Sequence, residues 1–412
     1  MLIRRILILA SVLSVGLFLG YSASKSQKLT NGFTSHYTLS RLLLTEGEII
    51  NVYDTAYFNQ KIEEYGFNEI KDLPNIPTSA FSLLPVAWME PAAAKVAWII
   101  ISVISLFFSI IILFSSFEIS FKNNLGLLLI CVTFLFYPLY YNSLLGQSYA
   151  VILLLFAIAI YGLKKNNMWL VSISISFVLL YRGYGLIPLL ALLLSKKYKE
   201  FFATIFITVA LILITLPVIH INSWEMFYLK IFSMFGLNED ASNTAYQTLI
   251  SFLSHLLVYN ELKNPYALMN IPQVFIYYSV QFLGLVTLYL FSRILPKKHT
   301  LVLFTISIGL NIIFAPIAED YSNVLYLPSI YLAGKYIYEN YIHLKIESIL
   351  FFLAIALLAL PINFRALQFS DFPVYLLAYP RLYGGILLII LSFRASNLNF
   401  QIRPEKFAVH HK

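Results

Sequence analysis

The sequence predicts an all-α polytopic membrane protein of about 10–12 transmembrane helices, and three observations predict it. Hydrophobic residues make up 59% of the 412, charged residues only 12%, and the mean hydropathy is +0.78. A soluble chain needs about a quarter charged residues to cover its surface. Apolar runs that approach the roughly 20 residues a membrane helix requires recur from one end of the chain to the other. The basic residues, finally, gather at alternate ends of those runs.

Taken in order, the apolar runs cover 6–20, 96–115, 125–141, 148–163, 168–181, 184–195, 201–219, 272–292, 300–318, 324–338, 347–363 and 375–393. The first follows "MLIRR", the charged start of a signal peptide, and "YSASKS" faintly resembles a cleavage site. With so many spans behind it, a retained signal-anchor is the expectation and a removed signal the alternative. The run 184–195 is short enough to be half of a tight hairpin rather than a separate span. Two long polar stretches, 21–95 and 220–271, interrupt the series within what reads as a single integral membrane domain over 1–412. Within the first, "EGEIINVYDTAYFNQKIEEYGFNEIKD" has helix-compatible spacing and predicts interfacial helices on the outer surface. The aromatic and Met-rich segment 224–239 is expected to lie there too.

Lys and Arg near span ends set orientation. With the N-terminus in the cytoplasm and the spans alternating, "KKNN", "SKKYKE" and "RILPKKH" all fall inside. Most of the 28 basic residues then lie on the cytoplasmic side and most of the 20 acidic ones outside. The net charge of +8 is thus a topology signal, and no nucleic-acid partner is implied. Both termini are expected in the cytoplasm. No N-x-[ST] acceptor occurs, which leans away from a glycosylated eukaryotic surface protein and toward the cytoplasmic (inner) membrane of a bacterium. The single Cys131 sits in an apolar run and permits no intrachain disulfide. There is no Gly-rich phosphate loop, no Cys/His metal spacing and no G-x-S-x-G elbow, which excludes soluble nucleotide-using enzymes and gives no metal site and no cofactor.

Chemistry is therefore expected on the outer face. "APIAEDY" (315–321) ends an apolar run with Glu319 and Asp320 side by side. On a helix neighbouring side chains diverge by about 100°, so the pair converges on one ligand only in a turn. One of them acts as a base or holds a sugar hydroxyl, or else Asp320 or Ser322 caps the helix that follows while Glu319 sits at the wet interface. Arg182 in "LLYRGYG" faces a cavity or snorkels to the headgroups. Arg381 in "YPRLYGG" stands in the first turn after Pro380. These two and Arg365 are candidate phosphate ligands, since an outer-face guanidinium offers paired donors. Asn142 and Gln147 sit at the outer end of a hairpin, where turn formation alone is the competing explanation for Asn142 and Gly146. His36 is a lone outer histidine beside Tyr37, a surface residue without a role or a useful titrating group. Asp54 closes the "NVYD" stretch.

Four stretches together resemble one known family. "GFTSHYTLSRLLLTEGEIINVYD" (32–54), "IPTSAFSLLPVAWMEPAAAKVAW" (76–98), the segment 144–199 with its Gly-Gln hairpin and a basic residue before a proline, and "APIAEDY" are similar in order and spacing to the polyprenyl-phosphate-mannose-dependent mannosyltransferases of the GT-C superfamily of membrane glycosyltransferases. The resemblance implies a GT-C-like fold and outer-face transfer of a sugar from a polyprenyl-phosphate-linked donor. The partners it implies are that donor and the surrounding membrane lipids. It implies catalytic roles for Glu319, Asp320, Asp54 and His36 and donor-phosphate contacts from Arg182, Arg381 and Arg365. Asn142, Gln147, Tyr37 and Tyr321 would line the substrate. One departure matters. The acid that opens the first outer segment in that family, its expected base, is replaced here by Gly32. Either the alignment slips, another carboxylate (Glu46, Glu48, Asp54, Glu319 or Asp320) does the work, or the activity is lost. Arg182 also stands farther ahead of Pro188 than the family pattern has it. A transporter or lipid flippase is the alternative from another class, disfavoured by the absence of an internal repeat and by charges placed at span ends.

Overall fold

The computed structural model describes residues 2–67, 74–232, 239–295, 299–340, 345–362 and 367–402. Each of the twelve apolar runs holds a helix. The first is α1 (Leu2–Lys25); two shorter helices, α2 (Asn31–Glu46) and α3 (Thr55–Glu64), follow it in the first polar stretch. The bundle continues with α4 (Pro91–Phe117), α5 (Asn124–Leu135), α6 (Tyr137–Leu145), α7 (Tyr149–Lys165), α8 (Met168–Arg182), α9 (Leu186–Leu194) and α10 (Tyr198–Thr215). The second polar stretch carries α11 (Ile221–Met226) and α12 (Leu249–Leu257). The bundle closes with α13 (Gln273–Ile294), α14 (Thr300–Ile313), α15 (Leu327–Glu339), α16 (Lys345–Ala359) and α17 (Pro380–Ile402). Four of these, α1, α4, α10 and α13, are individually long and apolar enough to cross a bilayer, and α5 with α6 makes a fifth if the bent pair is one span. The chain is an all-α polytopic membrane protein.

The break between α5 and α6 has a local cause. Pro138 lacks an N–H and its ring would clash with the carbonyl four residues back, that of Phe134. The pair bends by 44° there, and the freed Phe134 carbonyl accepts a hydrogen bond from the Tyr140 hydroxyl at 2.8 Å. Polar contacts between helices substitute for a hydrophobic drive that lipid does not supply. Ser172 and Ser176 of α8 donate to the backbone of α10 at Glu200 and Thr204, both at 3.0 Å. Tyr331 of α15 meets Thr133 of α5 at 2.6 Å. The run 184–195 forms the short α9, which reverses direction after α8 through the turn at Gly183–Gly185 but packs chiefly on α14 rather than along α8, with no space for a β-carbon on Gly185 against Leu179.

Alternation of the helices is visible at both ends of the bundle. At one end the C-termini of α4, α7 and α15 meet, where Glu118 pairs with Lys164 at 3.1 Å and with Lys335 at 3.9 Å. Arg394 of α17 reaches Glu347 of α16 at 3.4 Å there. At the other end the C-termini of α1, α6 and α8 meet the starts of α4, α7 and α17. Lys95 is the pivot of that second end. It is fully buried, and its ammonium donates to the carbonyls of Lys28 and, at 2.9 Å, Leu144, and to Thr30 Oγ1 at 3.3 Å. Three donors find three acceptors, as a buried charge without a carboxylate requires.

Of the stretch 46–72, expected to hold interfacial helices, Thr55–Glu64 is helical among the described residues, and α3, like α2 before it, turns its apolar face into the protein rather than toward lipid. Phe33, Tyr37, Leu39, Phe58, Ile62, Phe67, Leu83 and Trp98 pack into a small core of their own, separate from that of the bundle. Segment 68–73 lies outside the described residues. Trp224 and Phe227, from the stretch around α11, pack on the same small core. Ser223 Oγ donates to the Ile49 carbonyl at 2.6 Å and His220 meets Glu48 at 2.8 Å, so the start of the second polar stretch joins the first in one lobe, while α12 packs on the bundle core.

Candidate functional site

The site grows from three turns that meet beneath this lobe. The first joins α6 to α7. Gly146 takes a left-handed φ of 64° and leaves no room for a side chain against Phe33 and Lys95. Asn142 folds the turn around it: its carbonyl accepts from Gln147 N at 3.0 Å and its side-chain oxygen from Tyr149 N at 3.1 Å. Turn formation thus accounts for Asn142, and the residue this turn delivers is Gln147. The second turn ends α8, where Gly183 adopts a φ of 70° and leaves Arg182 in the last helical turn, favoured there by the helix dipole. The third is the late stretch 315–326.

Arg182 donates from one terminal nitrogen to Gln147 Oε1 and to His36 Nε2, both at 2.7 Å. Its guanidinium lies 5.7 Å above the centre of the Tyr149 ring, a cation–π distance. Among the described residues no carboxylate lies within ion-pair distance of it. Because a guanidinium only donates, His36 Nε2 is the acceptor and the proton sits on Nδ1. His36 is buried, not on the surface, and its imidazole is held well below the usual 6.5 by desolvation and by Arg182. It therefore stays neutral at physiological pH, which corrects the expectation of a residue that titrates in that range.

Two buried polar atoms at this centre have no hydrogen-bond partner among the described residues, His36 Nδ1 and Arg182 Nε. Both can only donate, and the Tyr181 hydroxyl beside them leans on Ser148 and Ser82. A dry, donor-rich group of this kind with a net positive charge is complementary to an oxyanion. Buried polar groups ordinarily find partners, so these two donors mark the place a ligand would complete.

The third turn supplies aromatic rings and acids. Tyr321 packs 5.1 Å from Tyr149 and 6.0 Å from Tyr141, and Tyr141 stacks 6.0 Å from Tyr137. This row of four phenols leads from Arg182 to the acid pair. Burial, then the Glu319 carboxylate, raise the Tyr321 phenol well above 10, so Glu319 bears on the same space. Asp320 turns elsewhere. Its Oδ1 pairs with Arg381 at 2.7 Å, with the Arg381 side chain 1% exposed. Arg381 also donates to the Leu360 carbonyl at 2.6 Å. Asp320–Tyr326 is a 3₁₀ segment that no side chain caps, so the capping alternative for Asp320 is replaced by an ion pair with the buried Arg381. Gln247 ties this region to the second polar stretch, accepting from Arg381 N at 3.2 Å and donating to the Ala378 carbonyl at 2.9 Å.

His36, Gln147, Arg182 and Tyr321 thus converge, with Glu319 beside them. Arg381 and Asp320 form an adjoining pair, linked to the group through Tyr137. Asp54 does not join: it caps α3, accepting from Ala56 N at 2.9 Å and Tyr57 N at 3.2 Å. Tyr37 lies in the core of the lobe, its hydroxyl on the Met89 carbonyl at 2.7 Å. Arg365 lies outside the described residues. Sequence reasoning missed Tyr149, Tyr181 and Ser148, although "LLYRGYG" sets aromatics on both sides of Arg182. Among the described residues no group of His, Cys, Asp and Glu is placed to hold a metal ion.

Gly32 sits against this centre. A β-carbon there would collide with the Gln147 carboxamide, whose oxygen serves Arg182. The place an acid at 32 would fill is taken by an amide.

Fold and site together define a helical membrane protein that gathers a half-buried cation, unpartnered donors and stacked phenols at one end of its bundle. The chain belongs to glycosyltransferase family 87, a family of membrane glycosyltransferases, whose profile matches residues 75–316, more than half of its length. The matched region contains Gln147, Tyr149, Tyr181 and Arg182, and stops short of Glu319 and Asp320. No curated protein matches the sequence.

Proposed function

We propose that this glycosyltransferase moves a sugar, mannose or one like it, from a polyprenyl-phosphate donor to an acceptor on the extracytoplasmic face. The membrane is the cytoplasmic (inner) membrane of a bacterium, with both chain termini on the cytoplasmic side. The observation that carries the reading is Arg182, a half-buried guanidinium with no carboxylate partner among the described residues, whose own Nε and the neighbouring His36 Nδ1 lack acceptors there. The donor phosphate binds there, and Arg381, already paired with Asp320, holds the late turn in place.

The acceptor hydroxyl attacks the anomeric carbon while the Glu319 carboxylate takes its proton. The bond from that carbon to the phosphate oxygen breaks, and its electron pair leaves on the polyprenyl phosphate. Arg182 and the His36 Nδ1–H stabilise the charge that develops on that oxygen. The phenol row gives sugar rings flat apolar faces to pack on. Incubating purified protein with labelled polyprenyl-phosphate sugars and candidate acceptors tests the reading. Label should move with the wild type and stop with Glu319→Gln. Undiminished transfer by Glu319→Gln would remove it as the base.

The amide beside Gly32 favours a second reading, a relative that binds the lipid phosphate without turning it over. Saturable binding of the donor with no label transferred to any acceptor is its signature.

A further inference from the structure

At the opposite end of the bundle, far from Arg182, the ends of α9 and α13 and the start of α14 enclose a cavity of about 340 Å³. That is within the range of small-ligand sites, roughly 300 Å³ and above. Its polar lining includes Ser195, Lys196, Arg293, His299 and Thr300, and among the described residues no acidic one contributes to it. Among the described residues neither Lys196 nor Arg293 has an ion-pair partner, whereas Lys164, Lys197 and Lys335 at the same end are each paired with a glutamate. The cavity also receives the N-terminus of α14, a 14-residue helix whose N-cap position, His299, provides no capping hydrogen bond from its side chain. Helix N-termini attract anions through their unpaired N–H groups and the positive end of the dipole. Among the described residues, two cations without ion-pair partners, hydroxyls and a helix start in one cavity with no acid in its lining make a site for a phosphate group.

We propose that this cavity binds an anionic phospholipid by its phosphodiester headgroup. The surroundings favour a lipid over free phosphate. Tyr289 and Ile294 line the cavity and are 50% and 56% exposed. Leu285 and Phe282, further along α13, continue this uncovered apolar surface, so acyl chains leaving the headgroup find a bare helix face. Basic pockets between helices at a membrane surface suit such headgroups. The site is separate from the proposed transfer site and does not depend on it.

The full-length protein in detergent, titrated with short-chain phosphatidylglycerol and followed by native mass spectrometry, tests the proposal, with short-chain phosphatidylcholine and inorganic phosphate as the other arms. Lys196→Gln and Arg293→Gln should each weaken phosphatidylglycerol binding about fivefold, and together by tenfold or more. Lys199→Gln, which removes an exposed charge at the same end but outside the cavity, should leave binding unchanged. Phosphatidylcholine should bind at least tenfold more weakly, and phosphate should compete only at far higher concentration. Both variants change exposed side chains, so each single variant is readable if the double one folds poorly. An equal loss in Lys199→Gln would reduce the effect to general charge attraction and overturn the site. Unchanged binding in the variants, or full competition by phosphate, would overturn the lipid assignment.

Discussion

Replacing Asp320 by asparagine keeps the shape of the side chain and removes its charge, leaving the Arg381 guanidinium buried without its counter-ion. Breaking a buried ion pair from one side costs about 3–5 kcal/mol. Arg381 is 1% exposed but Asp320 is 21% exposed, so water screens part of the loss and the expected cost is about 3 kcal/mol. The second variant, Asp320→Asn with Arg381→Met, removes both charges. It leaves the Leu360 carbonyl without its 2.6 Å donor and the Ile362 carbonyl without a longer one at 3.5 Å, at a cost of about 1–2 kcal/mol. Reversible unfolding in detergent micelles should therefore show the single variant as the less stable of the two, by about 1–2 kcal/mol. Transfer by the single variant should fall in proportion to the folded fraction. Wild-type stability in Asp320→Asn, with transfer abolished, would refute the assignment of Asp320 to architecture and return it to the chemistry.

Further predictions concern the same end of the molecule. Arg182→Gln should cut transfer by about 10²–10³-fold, the range for a preorganised charge-stabilising donor, and should abolish competition by polyprenyl phosphate in a binding assay. His36 is neutral when folded and takes a proton near 6.5 when unfolded. The unfolded chain thus binds the extra proton, and stability is full above that pH and falls as the pH drops below it. His36→Gln should flatten this part of the stability profile between pH 6.5 and 5, and an unchanged profile counts against the burial argument. Tyr140→Phe should lower stability by about 1–2 kcal/mol by leaving the Phe134 carbonyl unpartnered at the helix break, with transfer intact at low temperature.

The helices were legible because a bilayer demands long apolar runs, and each run predicted from composition holds one. The break at Phe136–Pro138 was legible in principle from "YP" and was missed because an apolar run continues through it. The site was readable residue by residue but not in its pairings. Arg182, His36, Gln147 and Glu319 stand out as polar groups at the ends of apolar runs. That His36 is buried against Arg182, 146 positions away, is set by how the lobe packs on the bundle, and no local pattern encodes it. For the same reason Asp320 and Arg381 read as two functional candidates, whereas in the structure they are each other's partners. Asp54 shows the opposite error: an acid at the start of a helix, two and three residues ahead of the amides it accepts from, is a cap by position alone.

Lys95 carries a consequence for how the chain is made. The residue opens α4, yet one of its three acceptors, the Leu144 carbonyl, lies 49 residues later in the chain. While ribosomes are still adding α5 and α6, the ammonium has to keep contact with water or headgroups, so the beginning of α4 stays shallow until the polypeptide has grown past Leu144. Synthesis order is thereby written into one side chain: α4 seats fully only when α6 arrives to receive it.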